Sequence, residues 1–194
     1  MKKTLCFLLA TVILSSCHVS FWRRSERHLI NSQPGVMRVL SIDNPKDSIA
    51  LRKKSYRLSH RALTSPYFSR LAQGLMTTVT SPEYEGVGIA APQVGIFRRI
   101  VVVQRFDKDG APYEVYPNIQ ITSHRGTPEY GPEGCLSVPH RRGDVLRYQD
   151  IDIQYSSPRT FKDTTERVQG YTAVIFQHEC DHLDGVLYID KITE

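Results

Sequence analysis

The sequence predicts an α+β fold: antiparallel β-sheets packed around a central C-terminal helix carrying a His-Glu-x-x-His motif, plus one N-terminal amphipathic helix. Three observations predict it. Helical periodicity with end signals occurs twice, at Ser65 to Val79 and at Tyr171 to Asp184. Several short β-rich runs lie between those two segments, an order that favours antiparallel sheets over a doubly wound parallel fold. Within Gln149 to Tyr155, Ile151, Ile153 and Tyr155 alternate with Asp150, Asp152 and Gln154, the pattern of a half-buried antiparallel strand. A chain of 194 residues with 40% hydrophobic content suffices for one soluble domain with a core, and no run of 18 apolar residues marks a membrane span.

In chain order, Lys2 and Lys3 precede the apolar run Leu5 to Leu14, and Leu14-Ser15-Ser16-Cys17 follows. Charged, apolar and small-residue zones in that order make residues 1–17 a signal peptide, and the last four residues resemble a bacterial lipobox. Cys17 would then be lipidated and would anchor the chain to a membrane outside the cytoplasm; a cytoplasmic protein with an apolar start is the alternative. Residues 18–35 read as a polar tether, and 36–194 as the domain. Val36 to Ser41 reads as an edge strand, with turn-rich sequence to Thr64. Ser65 is the expected N-cap and Pro66 the first helical residue, with Phe68, Leu71, Leu75, Met76 and Val79 forming one apolar stripe.

Gly86 to Gly95 is dense in glycine and alanine, so its backbone can approach another group closely, and Gln93 is its one side chain able both to donate and to accept. Arg99 to Arg105 and Tyr113 to Ile121 flank the Asp109-Gly110 turn signal and read as a hairpin. Gly131 to Pro139 reads as a loop. Arg167 to Gln169 is the expected partner of Gln149 to Tyr155, and Gly185 ends the last helix.

Chemistry concentrates in Gln177 to Gly185. His178 and His182, four residues apart, leave one helix face together and can converge on a divalent metal, with Glu179 beside its open side. Ala173 to Phe176 make the first half of this helix apolar nearly all round, so it should be buried; a buried helix bearing two histidines and two carboxylates needs a compensating cation. Asp181 is placed either to orient a ligand or to pair with an arginine. Cys135 stands 43 positions before His178. It can complete a Cys plus two His set if the fold brings it there, or it can be a packed small hydrophobe. Of four cysteines, Cys6 and Cys17 fall in the leader, which leaves Cys135 and Cys180 as free or metal-bound thiols. The net charge of +5 is scattered; Arg23, Arg24 and Arg27 cluster early, and Arg141, Arg142 and Arg147 follow Cys135. No nucleic-acid motif accompanies these charges, so they read as solvated surface first and as carboxylate or phosphate contacts second.

Gly86-Val-Gly-Ile-Ala-Ala-Pro-Gln93, Glu133-Gly-Cys-Leu-Ser137 and Gln177-His-Glu-Cys-Asp-His-Leu-Asp-Gly185, in this order, resemble the three signature motifs of the bacterial peptide deformylase family. The resemblance covers about Val36 to Glu194. It implies that Cys135, His178 and His182 bind one divalent metal, Fe(2+) in the family, with Zn(2+), Ni(2+) or Co(2+) able to replace it. It further implies that Glu179 is general base and acid, and that Gln93 and the backbone N–H of Leu136 hold the oxyanion. Gly88, Glu133 and Arg142 would position the peptide, while Val87, Tyr171, Val174 and Ile175 would line or border a methionine pocket. The implied partner is an N-formylmethionyl peptide or nascent chain, handled by a monomer. Two other readings share these residues. A zincin-like metallopeptidase would take its third ligand downstream of the helix, whereas Cys135 lies upstream; a non-catalytic formyl-peptide-binding lipoprotein has no need of Glu179. The family commonly carries Asn-Pro where this chain has Tyr116-Pro117-Asn118. A lipid anchor would also keep the enzyme from nascent chains on cytoplasmic ribosomes and would favour zinc or nickel over oxidation-prone Fe(2+).

Overall fold

The computed structural model describes residues 21–192, so the leader and Cys17 lie outside the described residues. Four helices come first: α1 (Arg24–Ser32), α2 (Pro45–Leu51), α3 (His60–Leu63) and α4 (Pro66–Val79). Eight strands follow, β1 (Gly88–Ala90), β2 (Ile100–Gln104), β3 (Tyr113–Pro117), β4 (Gln120–His124), β5 (Glu129–Cys135), β6 (Val138–Arg147), β7 (Asp150–Ser156) and β8 (Asp163–Gln169), and then α5 (Tyr171–Leu183). All strand pairs are antiparallel, in two three-stranded sheets, β1-β2-β3 and β4-β7-β8, and a β5-β6 hairpin.

Strand β2 shows why the molecule has two main cores. Its alternate side chains point to opposite faces. Ile100 and Val102 pack with Leu71, Leu75 and Val79 of α4, while Val101 and Val103 pack with Ala173, Phe176 and Leu183 of α5 and with Ile151 and Ile153 of β7. The strand is therefore apolar from Ile100 to Val103, and it is buried there on both faces. A third, smaller cluster of Val138, Val145, Leu187 and Tyr188 closes the β5-β6 hairpin against the C-terminal segment.

Several expectations need correction. Instead of one N-terminal helix the described residues hold four ahead of β1, and part of the expected tether over 18–35 is folded structure. Trp22 is buried and donates from Nε1 to the Ala62 carbonyl (3.0 Å) and Ser65 Oγ (2.8 Å), and Ile30 of α1 joins the α4 core. Glu26 accepts from the Arg23 backbone N–H (2.6 Å) at the start of α1 and pairs through both oxygens with buried Arg98 (2.8 Å each). One tryptophan, one isoleucine and one acid in a polar stretch dock this helix, too few to show as periodicity. Ser65 makes no side-chain cap for α4, because its hydroxyl is engaged by Trp22 and the Ala62 carbonyl (2.7 Å).

Val36 to Ser41 belongs to no strand; its backbone bonds to separate groups, Met37 N–H to Thr78 Oγ1 (2.8 Å) and Leu40 N–H to the Gln93 carbonyl (2.7 Å). The run Tyr113 to Ile121 is two strands in two sheets. Asn118 breaks it with φ of 58°, a left-handed conformation that asparagine tolerates, and its buried side chain bonds the Leu58 N–H (2.7 Å), the Leu58 carbonyl (3.0 Å) and Ser156 Oγ (3.0 Å). Gly131 to Pro139 is mostly hairpin rather than loop, since only Leu136 and Ser137 lie between β5 and β6.

Candidate metal centre and catalytic cleft

Three elements meet at one cleft of about 730 Å³: the segment Gly86 to Gln93, the β5-β6 turn and α5. Helix α5 is fixed in depth by Gln177, whose amide accepts from the Tyr148 N–H (3.1 Å) and donates to the carbonyls of Tyr148 (2.6 Å) and Ala173 (2.9 Å). The i, i+4 spacing then places the His178 and His182 rings 5.1 Å apart. Cys135 ends β5, and its Sγ lies 3.2 Å from His182 Nε2. The donor atoms of Cys135, His178 and His182 all fall within 4.8 Å of one another. One thiolate and two imidazoles suit Fe(2+), Zn(2+), Co(2+) or Ni(2+), and three protein donors leave a coordination position for water or substrate, so the residues fit a catalytic metal.

Behind His178 runs a buried chain of charge. His178 Nδ1 lies 2.7 Å from Glu133 Oε2, which leaves Nε2 for the cation; Arg147 donates to both Glu133 oxygens (2.7 and 3.1 Å) and to Asp181 (2.6 Å), and Asp181 also meets Lys191 (2.7 Å). Burial alone would raise Glu133, but its hydrogen bonds to His178 and Arg147 prevail and hold its carboxyl at about 2. Glu133, expected to position the peptide, thus has both oxygens committed to Arg147 and the His178 ring. Asp181 takes the arginine alternative. Burial, reinforced by neighbouring positive charge, pushes His182 well below the ordinary histidine value, which keeps it in the neutral form that ligates. Cys180 is buried on the opposite side among the α5 core residues; desolvation pushes its thiol up to about 12, so it stays protonated.

Glu179 is 4% exposed, its Oε2 has no hydrogen-bond partner among the described residues, and burial pushes its carboxyl up to about 7. Gly88 makes the room for it: a Cβ there would stand 2.5 Å from Glu179 Oε1 and 2.9 Å from Ile175 Cγ2. Gln93 is buried, and its Oε1 accepts from the Ala90 N–H (2.8 Å), which turns Nε2 toward Ser137 Oγ (3.2 Å) and Cys135 Sγ (3.6 Å). The segment after Met37 ties both sides together, Leu40 to the Gln93 carbonyl and the Ile42 N–H to the Ser137 carbonyl (3.0 Å).

Val87, Leu136, Val174 and Ile175 line the cleft, Arg142 lies exposed on its rim, and Tyr171 is 55% exposed at its mouth with its ring 5.5 Å from that of Phe106. His182 reaches the donor cluster from behind and does not line the cleft. Sequence reasoning missed the supporting roles of Arg147, Gln177, Ser137 and Tyr188, whose ring stacks 6.0 Å from that of His178. Arg147 carried a signal, since it shares strand parity with buried Val145.

Comparison with known proteins agrees with this geometry. The family described as polypeptide deformylase matches residues 36–194. A peptide deformylase of Leptospira biflexa is 37% identical over 166 residues, 81% of this chain and 88% of that protein. One of Symbiobacterium thermophilum is 47% identical over 108 residues, 56% of this chain; the match spans about half (48%) of that protein's length. Among solved structures, the Acinetobacter baumannii class I type b peptide deformylase bound to Met-Ala-Ser superposes with a TM-score of 0.72 at 31% identity, covering 82% of this chain and all (100%) of that one. The Thermotoga maritima peptide deformylase gives 0.70 at 31% identity, covering 82% of this chain and 99% of that one.

Proposed function

The chain belongs to the polypeptide deformylase family, and from that premise we propose that it is a metal-dependent hydrolase that removes the formyl group from N-formylmethionyl peptides and releases formate. The observation that carries this reading is the convergence, on one cleft, of the Cys135, His178 and His182 donors with the buried carboxylate of Glu179, whose Oε2 has no hydrogen-bond partner among the described residues, and the amide of Gln93.

When bound by Cys135, His178 and His182, a divalent ion supplies Lewis acidity, lowering the pKa of water and polarising a carbonyl. Glu179 takes the proton of the attacking water and returns it to the departing amine, a role suited to a carboxyl held near neutrality by burial. Gln93 Nε2, aimed by its bond from Ala90, donates to the developing oxyanion together with the Leu136 N–H; one well-placed donor typically contributes about 3–4 kcal/mol. Glu133 orients His178 and is itself held by Arg147, which reassigns it from substrate to ligand support. Val87, Val174 and Ile175 receive the methionine side chain, Tyr171 borders its mouth, and Gly88 and Arg142 flank the peptide backbone. The native ion is Fe(2+) by family resemblance; the partly exposed Cys135 thiolate favours Zn(2+) or Ni(2+) where oxidants are present.

Residues 1–17 serve as a lipoprotein signal and Cys17 as a membrane anchor outside the cytoplasm. The order of the leader's zones supports this, and no helix among the described residues is long and apolar enough to cross a membrane by itself. Released or imported formyl peptides then replace nascent chains as substrates.

Two peptides separate the catalytic readings. Formyl-Met-Ala-Ser should yield formate, while acetyl-Met-Ala-Ser and an internal peptide bond should stay intact; cleavage of the internal bond without formate release would establish the metallopeptidase reading instead.

A further inference from the structure

The helix α1 lies outside the matched residues 36–194, and the face it builds gathers cations. Arg23, Arg24, Arg27, Lys53, Lys54, Arg61 and Arg70 make no ion pair among the described residues. Elsewhere, Arg38, Arg52, Arg57, Arg125 and Arg167 each face an aspartate, while Arg141 and Arg142 on the cleft are, like the α1 cations, outside any ion pair among the described residues. On the α1 face the cations sit over rings instead: Arg23 lies 5.8 Å from the Tyr56 centroid, Lys53 5.3 Å from Phe97 and Arg61 5.1 Å from Phe21. Rings hold a cation in place without neutralising it. Arg23, Lys53 and Lys54 line one hollow of about 410 Å³, where the only carboxylate, Glu26, is already committed to Arg98.

We propose that this basic face seats on an anionic lipid headgroup surface. Charge is the first argument. Distance is the second, and it rests on the anchoring role of Cys17: the chain enters the described fold at Phe21, whose ring carries Arg61 and whose carbonyl accepts from Arg98 (2.5 Å). Four residue steps from Cys17 span at most roughly 14 Å, so an acylated Cys17 would hold Phe21 and the neighbouring cations against the headgroups. Because Trp22 and Ile30 are docked into the core, the described fold itself begins at this short distance from Cys17. Headgroup charge reaches about 8 Å at physiological ionic strength, which the α1 cations would then enter.

The test uses the mature chain, beginning at position 17 with Cys17→Ser, so that neither the apolar leader nor an acyl group contributes. Its sedimentation with phosphatidylcholine vesicles is compared with that on vesicles containing phosphatidylglycerol, and then repeated with Arg24→Gln, Lys53→Gln and Lys54→Gln together. Binding should require phosphatidylglycerol and weaken with salt, and the triple substitution should reduce partitioning on the order of 100-fold, about fivefold per cation. Formate release from soluble formyl-Met-Ala-Ser should be unchanged, because none of the three residues lines the catalytic cleft. Equal partitioning of the two proteins would overturn the proposal, as would loss of polyuridylate binding on substitution with vesicle binding intact, which would assign the face to RNA. Palmitate labelling of the wild type judges the anchor separately: an unlabelled wild type whose Cys17→Ser form still shows charge-dependent vesicle binding removes the anchor and supports the basic face.

Discussion

Gly88→Ala tests how tightly the cleft is built around Glu179. The new Cβ would meet Glu179 Oε1 at 2.5 Å and Ile175 Cγ2 at 2.9 Å. Ordinary contact begins near 3.4 Å, so the carboxylate must move by about 1 Å, and Ile175, on the buried side of α5, has little room to follow. Overpacking of this kind costs about 1–3 kcal/mol, which for a chain of this size lowers Tm by roughly 2–12 °C. Activity should fall further than stability suggests, because misplacing a catalytic group by about 1 Å can cost on the order of 100-fold. Cys135, His178 and His182 are not among the atoms met, so metal stoichiometry should stay at the wild-type value. Formate release with formyl-Met-Ala-Ser, read as kcat and KM, and metal content by elemental analysis make the assay. A folded Gly88→Ala protein with kcat near wild type would refute the reasoning, and loss of metal would show that Gly88 supports the donors instead.

Two further outcomes follow from buried groups. In metal-free protein, burial raises Glu179 from 4.5 to about 7, so its contribution to stability is fully present below the unfolded value and is lost as pH rises through 7. Glu179→Gln should therefore be nearly neutral at about pH 5 and stabilising by about 3 kcal/mol at about pH 8, measured by urea denaturation with chelator present; equal effects at both pH values would contradict the shift. Trp22→Ala removes a 2% exposed ring and its two hydrogen bonds, and should destabilise the whole domain by about 3–5 kcal/mol. An unchanged denaturation midpoint would restore the tether that the sequence suggested.

Local signals carried the most readable features. Helical spacing alone brings His178 and His182 to one face, and alternation alone marks Ile151 and Ile153 as inward, with no help from the tertiary fold. The family and its hydrolytic activity followed from three motifs in order, a signal richer than any one of them. Features that depend on distant partners were not readable. Glu26 meets Arg98 across 72 positions, and although strand parity with Val145 marks Arg147 as inward-facing, nothing local names Glu133 and Asp181 as its partners. The β5-β6 hairpin hid behind Gly131, Pro132, Gly134 and Pro139, residues that weaken any strand pattern, and only pairing from Glu129↔Arg147 to Cys135↔Val138 makes it one. Asn118 divided a β-rich run because its side chain has three partners elsewhere, a fact of assembly rather than of propensity.

The central claim is that Glu179 moves the proton in a cleft whose donors hold the metal. Formate release and metal content, measured on the same samples of wild type and Glu179→Ala, test it most directly. Wild type should release formate, Glu179→Ala should lose several orders of magnitude of that rate, and both should hold equal metal. Metal retained by wild type with no formate released, or formate released equally by both, would contradict it.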